Sequence, residues 1–217
     1  MADKKLLEKR VFNFDIRADE PDQNGIAILT GRPIVYNSRT DLGYMDEIID
    51  FGALNETDLT DVRFLVNHDT SMIPLARSRK NTPNSTMQLM PDMEGLSIRV
   101  NLDVANNDKA RSLYSAVSRR DITGMSFMFG IDDEEWENLD SDHPLRRIKK
   151  ISTVVEVSAV TFPAYEATEI NARSLEALEN ARAALENARS ADIQARASVD
   201  TELELLKLKT QSLFLGR

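Results

Sequence analysis

No glycine or proline interrupts the stretch from Asn171 to Leu215, whereas the residues before it are broken repeatedly by turn-forming ones. Glycine and proline stop regular structure, so this partition does more than any other feature to limit the fold. It predicts a domain of short elements over residues 1–170 and a helical tail over 171–217. In the tail, Leu175, Leu178, Ala181, Leu185 and Ala188 make a helical stripe, and Arg182, Arg189 and Arg196 recur every seventh residue. Alanine at several stripe positions gives high helix propensity and a thin apolar seam, while Leu203 to Leu215 is stickier.

Upstream, the apolar residues alternate as strands require. Arg10 to Ile16 places Phe12, Phe14 and Ile16 on one face, and Glu20 to Gly25 is turn chemistry. Ile26 to Tyr36 resumes strand character around a break at Gly31-Arg32-Pro33. Asn37 to Gly43 reads as a loop, and Met45 to Leu54 shows no clear period. Val62 to Val66 is a short apolar strand that delivers Asn67, His68 and Asp69 at its carboxyl end. Pro74 to Arg79, Thr86 to Met90 and Leu96 to Leu102 are further strands, the last two joined through Pro91 to Gly95. Ala110, Leu113, Tyr114 and Val117 then recur at helical spacing, with Asn106 or Asn107 as cap and an end near Arg120-Asp121. Gly124 to Gly130 returns to strand, Asp132 to Asp142 is a polar loop of acids without a basic residue, and Ile148 to Val160 is the last strand. The expected class is mainly β with flanking helices (α+β), its sheet curved or closed.

Composition removes several chemistries. The chain has no cysteine, which excludes disulfides, thiol catalysis and cysteine-ligated zinc, and its 2 histidines disfavour a histidine-rich metal site. No cofactor is expected. A net charge of -9 disfavours nucleic acid as partner. No apolar run is long enough for a membrane span, and the charged residues Met1 to Lys5 do not lead into a signal segment.

Hydroxyl chemistry survives these exclusions. In Gly124-Met125-Ser126-Phe127-Met128-Phe129-Gly130, Ser126 and Met128 face one side of a strand and the two phenylalanines the other. A serine nucleophile needs an imidazole to take its proton and an acceptor on the far ring nitrogen. His68, just past an apolar strand, is the candidate base. Asp69 and Glu156 compete as acceptor. Adjacent side chains on extended backbone diverge, which disfavours Asp69, and Glu156 is an acid in an apolar strand that wants a partner. His143 is a second candidate base or orienter in a polar loop, and Arg146, Arg147 or backbone amides are available for an oxyanion.

Four stretches in order make the chain resemble the prohead maturation proteases of tailed bacteriophages: Asp46 to Leu54, Phe64 to Asp69, Gly124 to Phe127, and Val155 to Tyr165. The resemblance implies Ser126 as nucleophile, His68 as general base and Glu156 as third member of a serine endopeptidase. It also implies a fold similar to herpesvirus assemblin, with a β-barrel core. The herpesvirus enzymes use a second histidine as third member, which keeps His143 as an alternative. Met128 departs from the glycine common in the family.

By the same resemblance, the partners are the major capsid protein or its scaffolding domain, a scaffold protein, and the chain itself through autocleavage or self-association. The place of action is the host cytoplasm, inside the immature capsid. The tail is then an incorporation signal or a removable pro-segment. The rival reading is a noncatalytic capsid-assembly protein that keeps a protease-like domain.

Overall fold

The computed structural model describes residues 7–12, 16–161, 174–194 and 196. In chain order the elements are β1 (Leu7–Phe12), β2 (Arg17–Ala18), β3 (Ile26–Val35), β4 (Arg39–Asp41), β5 (Asp46–Ile49) and β6 (Asp61–Val66). They continue with β7 (Ala76–Arg79), β8 (Met87–Asp92), β9 (Gly95–Asp103), α1 (Asp108–Ser118), β10 (Gly124–Glu137) and β11 (Leu145–Val160). The chain divides into two compact units, Met1–Ser174 and Leu175–Arg217. In the second, the described residues 175–194 are helical, and the regularly spaced arginines make local ion pairs, Arg189 to Glu186 at 3.2 Å and Arg196 to Asp192 at 2.9 Å. The leucine-rich end at 203–215, the closing block Phe162-Pro163-Ala164-Tyr165 and Phe14 lie outside the described residues.

The first unit holds two sheets. One is four-stranded, in the order β2-β3-β9-β8. The other runs β1-β10-β11-β5-β4, with β6 pairing β11 and β7 pairing β6. The long strand β11 is its axis. On one side it is antiparallel to β10; on the other it is parallel first to β5 and then to β6. The expected barrel is therefore wrong. The far edge of this sheet forks into β4 and β7, the near edge is β1, and among the described residues no pairing joins them, so the sheet stays open. The architecture is a mixed α+β fold of two open sheets with helices.

Local chemistry accounts for most boundaries. In β3 the register shifts between Gly31 and Ile34, where Pro33 offers no amide to the ladder. A Cβ on Gly31 would stand 2.3 Å from the Met125 sulfur, so glycine lets β3 approach the serine strand. Asn107 caps α1 by accepting from the amides of Lys109 and Ala110, and Ala110, Leu113 and Val117 face the core. Of the expected strand from Arg10 to Ile16, Arg10 to Phe12 lie in β1, Ile16 is outside any strand, and 13–15 lie outside the described residues; β1 joins one sheet and β2 the other.

The acidic segment is a second correction. It is not a loop up to Asp142, since β10 continues through Glu137 and pairs with Leu145 to Lys150. The cause lies across the hairpin. Lys149 meets Glu135 at 3.1 Å, Arg147 meets Glu137 at 3.6 Å, and Arg146 binds Glu134. Trp136 is half-buried, with the Arg146 guanidinium 5.5 Å over its ring.

Arg146 and Arg10 are both buried, and they anchor a charged cluster that knits β1 to the body. Arg10 binds both oxygens of Glu47, Glu8 at 2.5 Å and the Ser174 hydroxyl at 3.0 Å. Arg146 donates to both oxygens of Glu8 at 2.9 Å and meets Glu47 at 3.4 Å. Burial alone would raise the pKa of Glu8, yet Arg10 and Arg146 hold it at about 2, below its ordinary 4.5. A depressed carboxylate adds stability above its unfolded pKa, and that stability drains as pH falls through the folded value. About 3 kcal/mol is at stake. The urea midpoint is expected to decline as pH drops from 4.5 toward 2, and to decline less in Glu8→Gln. Equal declines in both proteins would show that Glu8 is not the titrating group.

Candidate active site

Three strands converge on Ser126. In the ladder, Ser126 of β10 stands opposite Val11 of β1 and Ser158 of β11, and Ser158 stands opposite Leu65 of β6. Residues two apart on a strand share a face, so Ser126, Met128, Ser158 and Glu156 belong to one side of the sheet. Phe127 and Phe129 occupy the other, with ring centroids 4.7 Å apart.

His68 arrives at this face from the end of β6. Asn67 and His68 both have left-handed backbone, φ 50° and 56°, a conformation uncommon for residues with a Cβ. Hydrogen bonds hold the turn. The Asn67 amide donates to the Ala159 carbonyl at 3.0 Å. Its side chain accepts from the Thr161 amide at 2.9 Å and donates to the Thr161 hydroxyl at 3.0 Å. The His68 amide donates to Ser158 Oγ at 3.1 Å.

The imidazole so placed spans the gap between the hydroxyl and the acid. Its Nδ1 is 2.5 Å from Glu156 Oε1, and its Nε2 is 2.6 Å from Ser126 Oγ. With the Nδ1 proton donated to the carboxylate, Nε2 presents a lone pair to the serine. Glu156 Oε2 accepts from Ser158 Oγ at 2.6 Å, so both carboxyl oxygens are engaged. Ser126 is wholly buried and its Oγ also lies 2.7 Å from the Arg10 carbonyl oxygen. One hydroxyl proton can serve only one acceptor, so that carbonyl competes with His68 for it.

Of the residues singled out from the sequence, the structure brings Ser126, His68 and Glu156 into one hydrogen-bonded chain. Asp69 turns away and accepts from the Ser71 amide and hydroxyl. His143 is on the β10–β11 loop beside Asp46, at 3.2 Å, and exposed. Arg146 is held in the charged cluster, and Arg147 pairs with Asp50 at 2.6 Å. Sequence reasoning gave no role to Ser158. Its only signal was its place two residues after Glu156 on the same face. A cavity of about 560 Å³ lies between α1 and the turn after β6, with Asn67, Asp69, Met72, Leu113 and Ile122 among its walls, while Ser126, His68 and Glu156 are not among them.

A hydroxyl, an imidazole and a carboxylate linked in that order have the chemistry needed to activate a hydroxyl, with the imidazole able to take its proton and the carboxylate able to hold the ring. A family model described as Caudovirus prohead serine protease matches residues 12–181. Among solved structures, the bacteriophage T4 capsid assembly protease is similar over 74% of this chain and 100% of its own, at 13% identity and a TM-score of 0.40. No curated protein matches the sequence.

Proposed function

The chain belongs to the caudovirus prohead serine protease family, and on that premise we propose that it is an endopeptidase with Ser126 as nucleophile, His68 as general base and Glu156 as the acceptor that orients the base. The observation that carries this reading is the unbroken hydrogen-bond chain from Ser126 Oγ through both ring nitrogens of His68 to Glu156.

The reaction is acyl transfer. His68 Nε2 takes the Ser126 proton as Oγ attacks the carbon of a peptide carbonyl, and backbone amides stabilise the oxyanion. The imidazolium is steadied by Glu156 and gives its proton to the leaving amine as the C–N bond breaks. Water then loses a proton to His68 and attacks the ester. Collapse of that intermediate releases the new carboxyl end and returns the proton to Ser126.

The substrates in this reading are a scaffold protein or the scaffolding domain of the capsid protein, together with the chain itself. Cleavage takes place inside the immature capsid, within the host cell. Residues 171–217 are an incorporation signal or a removable segment.

The test is co-expression of the chain with its capsid and scaffold proteins, comparing it with Ser126→Ala by mass spectrometry of the products. Defined truncations of capsid, scaffold and the chain are expected only with Ser126 present, and the fragment ends would reveal whether the tail is removed. Shells that assemble and mature with every protein uncut in both cases would sink the catalytic reading in favour of an assembly role.

A further inference from the structure

We infer that Ser158 is a positioning residue of this site, fixing the base and its acceptor with a single oxygen; the inference rests on the reading of Ser126, His68 and Glu156 given above. Ser158 Oγ donates to Glu156 Oε2 at 2.6 Å and accepts from the His68 backbone amide at 3.1 Å. A serine hydroxyl often bonds to backbone groups of its own or neighbouring residues. Here both bonds go to the two groups whose separation matters, and the residue is wholly buried.

The geometry explains why one oxygen can do this. Glu156 has a free terminal torsion, so one bond to His68 Nδ1 leaves its carboxylate able to rotate out of line. The bond from Ser158 to the second oxygen removes that freedom. At the other end, His68 sits in left-handed backbone with φ 56°, a position that the chain leaves readily unless its amide is held. Ser158 holds it, while Asn67 and Thr161 close the turn from the other side. The 2.5 Å contact between Nδ1 and Oε1 thus has both of its ends referred to one atom on β11. Because Ser158 is also the ladder partner of Ser126, that atom ties the orientation of the base to the strand carrying the nucleophile.

The experiment measures labelling of Ser126 by a fluorophosphonate, separating the maximal rate from the binding constant, in the full chain and in Ser158→Ala, Ser158→Thr and Ser158→Cys. Loss of a hydrogen bond to a charged group is expected to lower the maximal rate of Ser158→Ala on the order of 10- to 100-fold, with reagent binding unchanged. Threonine, which keeps the hydroxyl, is expected to restore most of the rate.

A second readout does not depend on catalysis. In a Ser126→Ala background, the low-field proton resonance of His68 Nδ1–H is expected to move when Ser158 becomes alanine and to return with threonine. A Ser158→Ala protein that labels at the parental rate with that resonance unmoved overturns the inference. Should the alanine variant fail to fold, cysteine against threonine decides: a weak thiol donor must label more slowly, and equal rates overturn the role. If Ser126 of the parent is never labelled, the protease reading fails, and the proton resonance still reads whether Ser158 holds the pair.

Discussion

Glu156→Gln is expected to fold normally and to lose about four orders of magnitude in the acylation rate of Ser126. The reason lies in what faces that carboxyl group. Its two oxygens meet two donors, the Ser158 hydroxyl and His68 Nδ1–H. Glutamine keeps one acceptor oxygen and replaces the other with an NH2 donor. Where that NH2 faces Nδ1, the ring must carry its proton on Nε2, directed at the serine it should deprotonate. Where it faces Ser158, the hydroxyl must accept from it as well as from the His68 amide, and the Ser158 proton loses its carboxylate acceptor. The shape of the side chain is conserved, so the circular-dichroism spectrum and melting temperature should stay close to the parent while fluorophosphonate labelling collapses. A variant that labelled within tenfold of the parent would remove Glu156 from the mechanism.

The second large effect concerns stability. Glu47→Ala is expected to cost about 3–5 kcal/mol, because it strips two buried guanidiniums of the carboxylate they share. Arg10 uses both oxygens of Glu47, and Arg146 lies 3.4 Å from one of them. Burial by itself would lower the pKa of Arg10, but Glu47 and Glu8 overcome that and raise it, so the guanidinium stays charged and must be paired. For a domain of this size the loss corresponds to a fall of about 10 °C in the melting temperature. Differential scanning calorimetry checks it, and a fall below about 2 °C would mean that the cluster relaxes without Glu47. The pair of Arg77 and Asp61, both partly exposed, is a useful contrast, since pairs open to solvent are worth little.

Features that depend on near neighbours were legible in the sequence. Alternation placed Ser126 and the phenylalanines on opposite faces, helical spacing located α1, and the apolar run before Asn67 identified the strand that carries His68. The preference for Glu156 over Asp69 as partner of His68 followed from the cost of an acid in an apolar strand, and the two side chains do meet. Long-range pairing was not legible. Whether a sheet closes depends on which edges meet, and nothing in the alternation of β1, β4 or β7 says that the far edge forks. The acidic run looked like a loop because its counter-charges, Arg146 to Lys150, arrive only after the chain has turned. The two roles of the Ser158 hydroxyl likewise required knowing that β6 lies beside β11 in parallel, a pairing that hydrophobic period does not encode.

That parallel pairing bears on how the molecule is made. The groups around Ser126 come from positions 10, 68, 126, 156 and 158, and the turn bearing His68 is closed by Thr161. A ribosome adding about 5–20 residues per second completes β11 only seconds after the nucleophile strand, but always after it. Until then β10 lacks its principal neighbour, His68 lacks the carbonyl and hydroxyl that fix its turn, and no carboxylate stands behind the ring. The half-made polypeptide therefore lacks the hydrogen-bond chain from Ser126 through His68 to Glu156, which is completed only with β11, the last strand among the described residues.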